Sequence, residues 1–427
     1  MALNEGQQKV LESILKGDNV FVTGAAGVGK SHLIRQVTLS FDTEGKSFAL
    51  LAPTGVAAVN IGGQTIHKFA SLQPEISNIA DYVRICYKRV KKGKWQQLDA
   101  IIIDEVSMVH PELLELVDEI AQLHRQSTKP FGGIQVILIG DFFQLPYVPN
   151  RGDTSKGFLF DTNVWRSLNL VHHEMNQVMR QKDNDFIDAL NDLRKGLMTD
   201  RVSKMLLKCS KNKKNPEKHY VKLCAVNAQK ARENELKLSE LKSQEKLFKS
   251  LDIGDKKYLN GCRADEKVLL KVGAPVMLLW NMPEFDLCNG SIGLVEEFVE
   301  SGYPLVRFNN GQTVLIMPQT WKVSERKKKG FELLASRKQV PLVVAYSISQ
   351  HKSQGLTLDY LEVDCSAIFT TGQLYTALSR ASSPEGLIIK KYNPNKVLVD
   401  GRVVEFYKDF KSICSVEDDY SIPMDDD

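Results

Sequence analysis

Gly24 to Ser31, "GAAGVGKS", restricts what this chain can fold into more than any other stretch. It matches G-x-x-x-x-G-K-S, follows the apolar run "NVFVTG" and precedes the helical stretch "HLIRQV". A glycine-rich turn between a buried strand and a helix lets backbone N–H groups approach an anion at the helix N-terminus. The loop formed by Gly24, Ala25, Ala26, Gly27, Val28, Gly29, Lys30 and Ser31 is therefore expected to hold phosphates. Lys30 supplies a point charge to the β- and γ-phosphates, and the Ser31 hydroxyl can reach Mg2+. Such a turn implies an α/β domain whose functional groups sit at the carboxyl ends of parallel strands.

The neighbouring runs extend that picture. "SFALLAPTG", "LDAIIIDE" and "GIQVILIGD" are apolar stretches that each end in a polar loop, as strands buried on both faces of a parallel sheet require. Asp104, at the end of "IIID", can hold Mg2+, and Glu105 beside it can polarise an attacking water. An acid pair at a strand end says little alone. After a phosphate loop in the same domain it favours hydrolysis over storage of the nucleotide. "IQVILI" discharges into "GDFFQLP". Its strand shares the sheet with those carrying Lys30 and Asp104, so Gln144 is expected in the nucleotide cleft. There its amide can donate to the γ-phosphate or to the attacking water. Pro146 restricts Leu145 to extended geometry and stiffens the loop. Phe142 and Phe143 are expected to bury it against the sheet.

A second α/β pattern follows. "YVKLCAVN" reads as a strand and "AQKARENELKLSEL" as a polar helix. After residue 340 come the strand-like runs "VPLVVAYSIS" and "LDYLEVDC" and the helix "GQLYTALSRA". Between them the character changes to short strands and turns, as in "VRFNNGQTVLI" with Asn-Gly at a hairpin position. This predicts a small all-β insertion over 262–335. The expected division is 1–173, with a small insertion near 62–95, then 174–261, 262–335 and 336–413, with an acidic, disordered tail at 414–427. "KNKKNPEKH" and "SERKKKG" read as basic loops, by default solvated surface.

Net charge is only +4, so nucleic-acid binding would require a local groove rather than global charge. The seven cysteines include no Cys-x-x-Cys pair, which suits a reducing compartment and gives no zinc pattern. His172 and His173 point to opposite sides of any regular element, which suits a structural pair better than a metal site. The start "MALNEGQQKV" lacks the apolar core of a signal peptide, and no apolar run reaches the length of a membrane span. The expected location is intracellular: nuclear in a eukaryote, otherwise cytoplasmic.

Six ordered motifs then narrow the class. The phosphate loop is joined by "LAPTGVAAVNIGGQTIHKF" (51–69), "KPFGGIQVILIGDFFQLP" (129–146), "VMRQKD" (178–183), "ISQHKSQGLTL" (348–358) and "GQLYTALSRA" (372–381). In that order they resemble the petite-integration-frequency (PIF) family of DNA helicases, in the RecD-like branch of superfamily one, over nearly the whole chain. Val28, where a threonine is common, and Tyr147, in place of a second proline, depart from the family pattern.

The resemblance implies two RecA-like P-loop domains with parallel sheets, the second carrying an SH3-like all-β insertion. It implies ATP with Mg2+ as cofactor, and single-stranded, forked or structured DNA as partner for a monomeric core. Gln7 of "LNEGQ" would read the adenine edge, and Arg180 and Arg380 would reach the γ-phosphate across the cleft. Pro53, Thr54 and Gly55 would meet a DNA phosphate, and His67 and Phe69 would offer stacking faces, with core packing an equal alternative for Phe69. His351, Lys352, Ser353 and Gln354 would bind phosphate from the second domain. Asn289 and Gly290 of "LCNGSIG" would face the strand, or form a plain hairpin turn. One of Phe142 and Phe143 would be free to reach the DNA path. The expected activity is ATP-dependent 5′-to-3′ DNA unwinding. The alternatives are an ATP-switched single-strand binding module and an RNA helicase.

Overall fold

The computed structural model describes residues 3–73, 76–90, 93–147, 157–224, 227–259, 262–327 and 330–414. The expected acidic tail lies outside these residues, apart from its first residue.

Six strands build the first sheet: β1 (Val20–Gly24), β2 (Phe48–Ala52), β3 (Gln64–Thr65), β4 (Ala100–Ile103), β5 (Gln135–Ile139) and β6 (Val171–Met175). They run in the order β3-β2-β4-β5-β1-β6, and each neighbouring pair is parallel. Alternation along the strands feeds two cores, one on each face. Phe21, Ile101, Ile103, Val136 and Leu138 enter one. Val20, Val22, Ala100, Ile102, Ile137 and Ile139 enter the other, against Leu33, Ile34, Val37 and Phe41 of the helix Lys30–Thr43. The order β4-β5-β1 sets three carboxyl ends side by side, those leading to Asp104, to Asp141 and to the phosphate loop.

A second parallel sheet opens with β7 (Val221–Cys224). Ten strands then intervene: β8 (Glu245–Lys249), β9 (Leu251–Gly254), β10 (Lys267–Lys271), β11 (Pro275–Leu278), β12 (Ile292–Phe298), β13 (Pro304–Phe308), β14 (Thr313–Leu315), β15 (Gln319–Lys327), β16 (Gly330–Gln339) and β17 (Leu342–Val344). Their described pairings are all antiparallel, in sheets β10-β8, β14-β13-β12-β11-β17 and β15-β16-β9. The chain returns to the second parallel sheet through β18 (Ser347–Ser349), β19 (Leu361–Asp364) and β20 (Leu387–Lys390), in the order β18-β7-β19-β20.

Three expectations are corrected. The antiparallel strands span Glu245 to Val344, wider than 262–335, because β8 and β9 precede Cys262 and "VPLVVAYSIS" is not one strand. Leu342–Val344 pairs with β11 and Ser347–Ser349 with β7. Both sheets need apolar residues there, so the run stays apolar across the crossing. The described residues of "SERKKKG" are strand and not loop, since Ser324–Lys327 continue β15 and Gly330 opens β16. A hairpin ladder is closed by backbone groups and tolerates charged side chains. The segment 336–413 does not stay wholly with the second sheet, because its final helix, Gly401–Cys414, packs Val403 and Tyr407 in the first sheet's core. The hairpin "VRFNNGQTVLI" forms as expected: Phe308 N donates to Gln312 O (2.7 Å), and the turn passes through Gly311. Among the described residues no helix is long and apolar enough to cross a membrane.

Candidate nucleotide site and nucleic-acid groove

The phosphate loop leaves β1 and ends at Gly29, which caps the helix Lys30–Thr43 in the left-handed region. Lys30 is half-buried, and its Nζ donates to the carbonyls of Gly24 (2.7 Å) and Ala25 (3.1 Å). Burial lowers its pKa, while Asp141, Glu105 and Asp104 oppose that shift. Ser31 is exposed in the helix's first turn. Gln7 lies against the loop. It closes a capping box with Asn4 through Gln7 N to Asn4 Oδ1 (2.8 Å) and Asn4 N to Gln7 Oε1 (3.1 Å). Its Nε2 points to Val28 O at 3.5 Å. Gly27 meets the segment carrying Arg180. Met179 N donates to Gly27 O (2.9 Å), and a Cβ at Gly27 would fall 2.6 Å from Arg180 Cβ.

The carboxylates follow β4. Asp104 N donates to Leu51 O (3.0 Å), so the ladder holds up to this residue. Glu105 then turns into the left-handed region at φ 52, uncommon for a residue with a side chain and frequent at functional sites. Burial raises the pKa of both acids. Glu105 pushes Asp104 further, while Lys30, Arg380 and Arg180 pull Glu105 back.

Both arginines come from beyond the first sheet, and their charges lower the Glu105 pKa. Arg180 donates through Nε to Thr357 Oγ1 (3.2 Å) and through Nη1 to Ser379 O (3.0 Å). Arg380 donates through Nε to Thr376 O (3.0 Å) and through Nη2 to Ser379 Oγ (3.1 Å). Burial lowers the pKa of each, and Arg380 lowers that of Arg180 further. Three cations, of which Arg380 is the buried one, thus bear on Glu105. Buried like charges are costly unless an anion joins them, and a polyphosphate supplies that anion. Tyr375 accepts from Ala26 N through its hydroxyl (2.8 Å).

"GDFFQLP" is buried from Gly140 to Leu145. Gln144 donates its backbone N–H to Asp141 O (2.9 Å) and its amide to Asp141 Oδ2 (3.3 Å). Arg194 grips Asp141 with two bonds of 3.0 Å. Phe142 meets Phe21 (5.5 Å between ring centres) and Phe143 stacks on Tyr407 (4.6 Å), so neither ring reaches a surface path. Gly372 lies against this loop: a Cβ there would fall 2.4 Å from Gln144 O.

The groove residues divide. Pro53, Thr54 and Gly55 sit half-buried after β2, and Thr54 Oγ1 accepts from Ala57 N (3.2 Å) as the helix Gly55–Ile61 begins. That helix faces "HKSQG", since a Cβ at Gly355 would lie 3.4 Å from Asn60 Nδ2. His67 is exposed. Phe69 is packed rather than presented: its ring is buried, 4.8 Å from Trp95 and beneath Lys94 Nζ at 4.1 Å. Ser353 is also corrected, because it is fully buried and its hydroxyl donates to Gln350 O (2.7 Å). Gln354 is buried, and its Nε2 has no hydrogen-bond partner among the described residues. His351 and Lys352 lie on the helix Gln350–Ser353, and their side chains fall outside the described set. Asn289 donates its backbone N–H to Asn281 Oδ1 (2.7 Å). Gly290 seats this turn on the connection that follows "HKSQG", where a Cβ would fall 3.0 Å from Thr357 O.

Sequence reasoning missed Arg194, Tyr375, Tyr407 and Lys68. Lys68 lies 4.5 Å from the ring of Tyr258 at the edge of the insertion. Only Tyr375 had a local signal, its place within "GQLYTALSRA".

Residues 2–204 match the model of the PIF1-like helicase family, and residues 260–298 match that of the 2B domain of the DNA helicase Pif1. A Bdellovibrio bacteriovorus protein, ATP-dependent DNA helicase Pif1, is 34% identical over 418 residues, covering 96% of this chain and 93% of that protein. Human ATP-dependent DNA helicase PIF1 is 37% identical over 412 residues, covering 95% of this chain and 63% of the relative. The chain thus spans less than two thirds of the length of such relatives. Its fold is similar to the crystal structure of a Bacteroides Pif1 in complex with ADP-AlF4, with TM-score 0.86, 30% identity, and coverage of 97% of this chain and 98% of that one.

Proposed function

The chain belongs to the PIF1-like helicase family, and from that premise we propose that it is an ATP-dependent 5′-to-3′ DNA helicase that moves along single-stranded DNA. The observation that carries the proposal is that the segment carrying Arg180 docks on the phosphate loop, through Met179 N to Gly27 O (2.9 Å), while Lys30, Arg180 and Arg380 together draw the Glu105 pKa down.

Nucleotide would lie between two RecA-like domains. The first sheet forms one. The second sheet forms the other, interrupted from Glu245 to Val344 by the SH3-like insertion. Loop N–H groups and Lys30 would hold the phosphates, and Gln7 the adenine edge. Ser31 and Asp104 offer the hard oxygen donors that Mg2+ prefers, and the buried Asp104 carboxyl gains from a cation beside it. Mg2+, when bound, supplies charge neutralisation at the β- and γ-phosphates. Glu105 would accept the proton of the attacking water, and the Gln144 amide would orient that water. Arg180 and Arg380 would stabilise charge on the transferred phosphoryl group. Pro53, Thr54, Gly55, His67, Asn289, His351, Lys352 and Gln354 remain the proposed groove. The free cysteines among the described residues suit a reducing compartment.

The test is strand displacement. A duplex with a 5′ single-stranded tail should be unwound in ATP, and one with only a 3′ tail should not. Equal or reversed activity would overturn the polarity. Hydrolysis stimulated by RNA but not by DNA would overturn the substrate.

A further inference from the structure

The helix Asn184–Arg194 belongs by packing to the second sheet, since Phe186, Ala189, Leu190 and Leu193 lie in that sheet's core. Its last side chain leaves that core. The Arg194 guanidinium crosses to the first sheet, where Nε and Nη2 each donate to Asp141 at 3.0 Å and Nη1 donates to Glu174 Oε1 at 3.3 Å. It also lies over the rings of Phe143 (5.0 Å) and Tyr407 (5.5 Å). Asp141 is fully buried and Arg194 is 4% exposed.

Asp141 also builds the loop that presents Gln144. Oδ1 accepts from Phe143 N (3.2 Å), Oδ2 accepts from the Gln144 amide (3.3 Å), and its carbonyl accepts from Gln144 N (2.9 Å). The hydrogen bonds that fix Gln144 therefore run through one residue, the amide's through its carboxylate, and that carboxylate is gripped from the other sheet. A two-pronged guanidinium–carboxylate pair is geometrically demanding. Separating a buried pair leaves an uncompensated charge. The helix cannot shift against the first sheet without carrying Asp141 or breaking the pair.

We propose that Arg194 is a positioning residue: it ties the placement of the second parallel sheet to the orientation of the Gln144 amide, so that DNA held between the two sheets sets the rate of hydrolysis. This rests on the helicase reading above.

The experiment compares the parent chain with Arg194→Lys, which keeps the charge but not the fork, and with Asp141→Asn/Arg194→Gln, which removes both charges together. Steady-state ATP hydrolysis is measured with and without an oligothymidine strand, beside strand affinity and thermal melting. Both variants should melt cooperatively, and the ratio of DNA-stimulated to DNA-free kcat should fall about tenfold, with KM for ATP and strand affinity held within about twofold. A folded variant that keeps the parent's ratio would overturn the inference. So would a proportional fall in both rates, or loss of folding in both variants, since either would assign the pair to stability alone. A parent that DNA does not stimulate would overturn the helicase reading first. A stimulated parent beside equally stimulated variants would overturn this inference and leave the helicase reading standing.

Discussion

The hydroxyl of Tyr375 accepts a hydrogen bond of 2.8 Å from the backbone nitrogen of Ala26. A helix of the second sheet thereby satisfies a buried donor of the phosphate loop, two elements far apart in sequence. Removing only the hydroxyl leaves the Ala26 N–H without that partner. Tyr375→Phe should therefore lower the stability of the nucleotide-free protein by about 1–2 kcal/mol. Urea unfolding of the two proteins checks this, and an unchanged midpoint would show that the contact contributes nothing.

Phe69 gives a prediction of the opposite kind from the one its motif suggests. Its ring is buried against Trp95 and under Lys94. Phe69→Ala should cost about 3–5 kcal/mol of stability, as expected for a large aromatic lost from a core. His67→Ala, at an exposed position, should leave stability near the parent value and weaken single-strand binding. Denaturant melts and fluorescence anisotropy with a labelled strand separate the two. A stable Phe69→Ala with lost DNA affinity would restore the stacking role.

Glu105 is the proposed acceptor of the water's proton. Glu105→Gln keeps shape and hydrogen bonding but cannot accept a proton. ATP affinity should stay near the parent value while kcat falls by a factor on the order of 10²–10⁴. Lys30→Ala should instead lose nucleotide binding. Hydrolysis at the parent rate by Glu105→Gln would remove this residue from the mechanism.

The same acid predicts a pH dependence. Burial raises the Glu105 pKa, and the nearby cations only partly offset it. The working form is the ionised one, so hydrolysis is lost as pH falls through the raised pKa. The acid limb of kcat should thus lie above about pH 4.3, the value of an unperturbed glutamate. A kcat–pH profile at saturating ATP, with circular dichroism to confirm folding at each pH, measures it. A limb at the unperturbed value would mean that this acid is solvated in the working complex.

The parts of this site legible in sequence are those written in consecutive residues. The loop at Lys30, the acids after β4 and "GDFFQLP" each follow an apolar run, and a buried parallel strand must end in such a functional loop. Arg194 and Tyr407 carry no such mark. One ends an ordinary amphipathic helix and the other lies on a helix whose apolar stripe fits either sheet, so only the packing places them at Asp141 and Phe143. Phe69 and Ser353 fail for a related reason. A motif fixes residue types but not facing: the Phe69 ring is settled by Trp95, outside its motif, and the Ser353 hydroxyl by the helical turn that aims it at Gln350 O. The run "VPLVVAYSIS" conceals a crossing between sheets because both destinations are apolar.

Gln144 sits where the chain's two halves meet. Its amide is held by Asp141, its carbonyl lies against Gly372, and Phe143 beside it is pinned by Tyr407. The residue is buried, so the loop is a packed wall and not a flexible tip. The amide is the group on that wall able to donate to a phosphate oxygen or a water, while the phenylalanines only fix its position. Gln144→Ala removes the amide and leaves the wall. ATP and single-strand affinities should stay within about threefold of the parent, while DNA-stimulated hydrolysis falls by a factor on the order of 10². Binding of a non-hydrolysable ATP analogue and of a labelled strand, beside hydrolysis rates with and without DNA, distinguishes this outcome from a structural one. A structural role would lower melting temperature and both affinities together. Full DNA stimulation in Gln144→Ala would reduce "GDFFQLP" to a capped strand end.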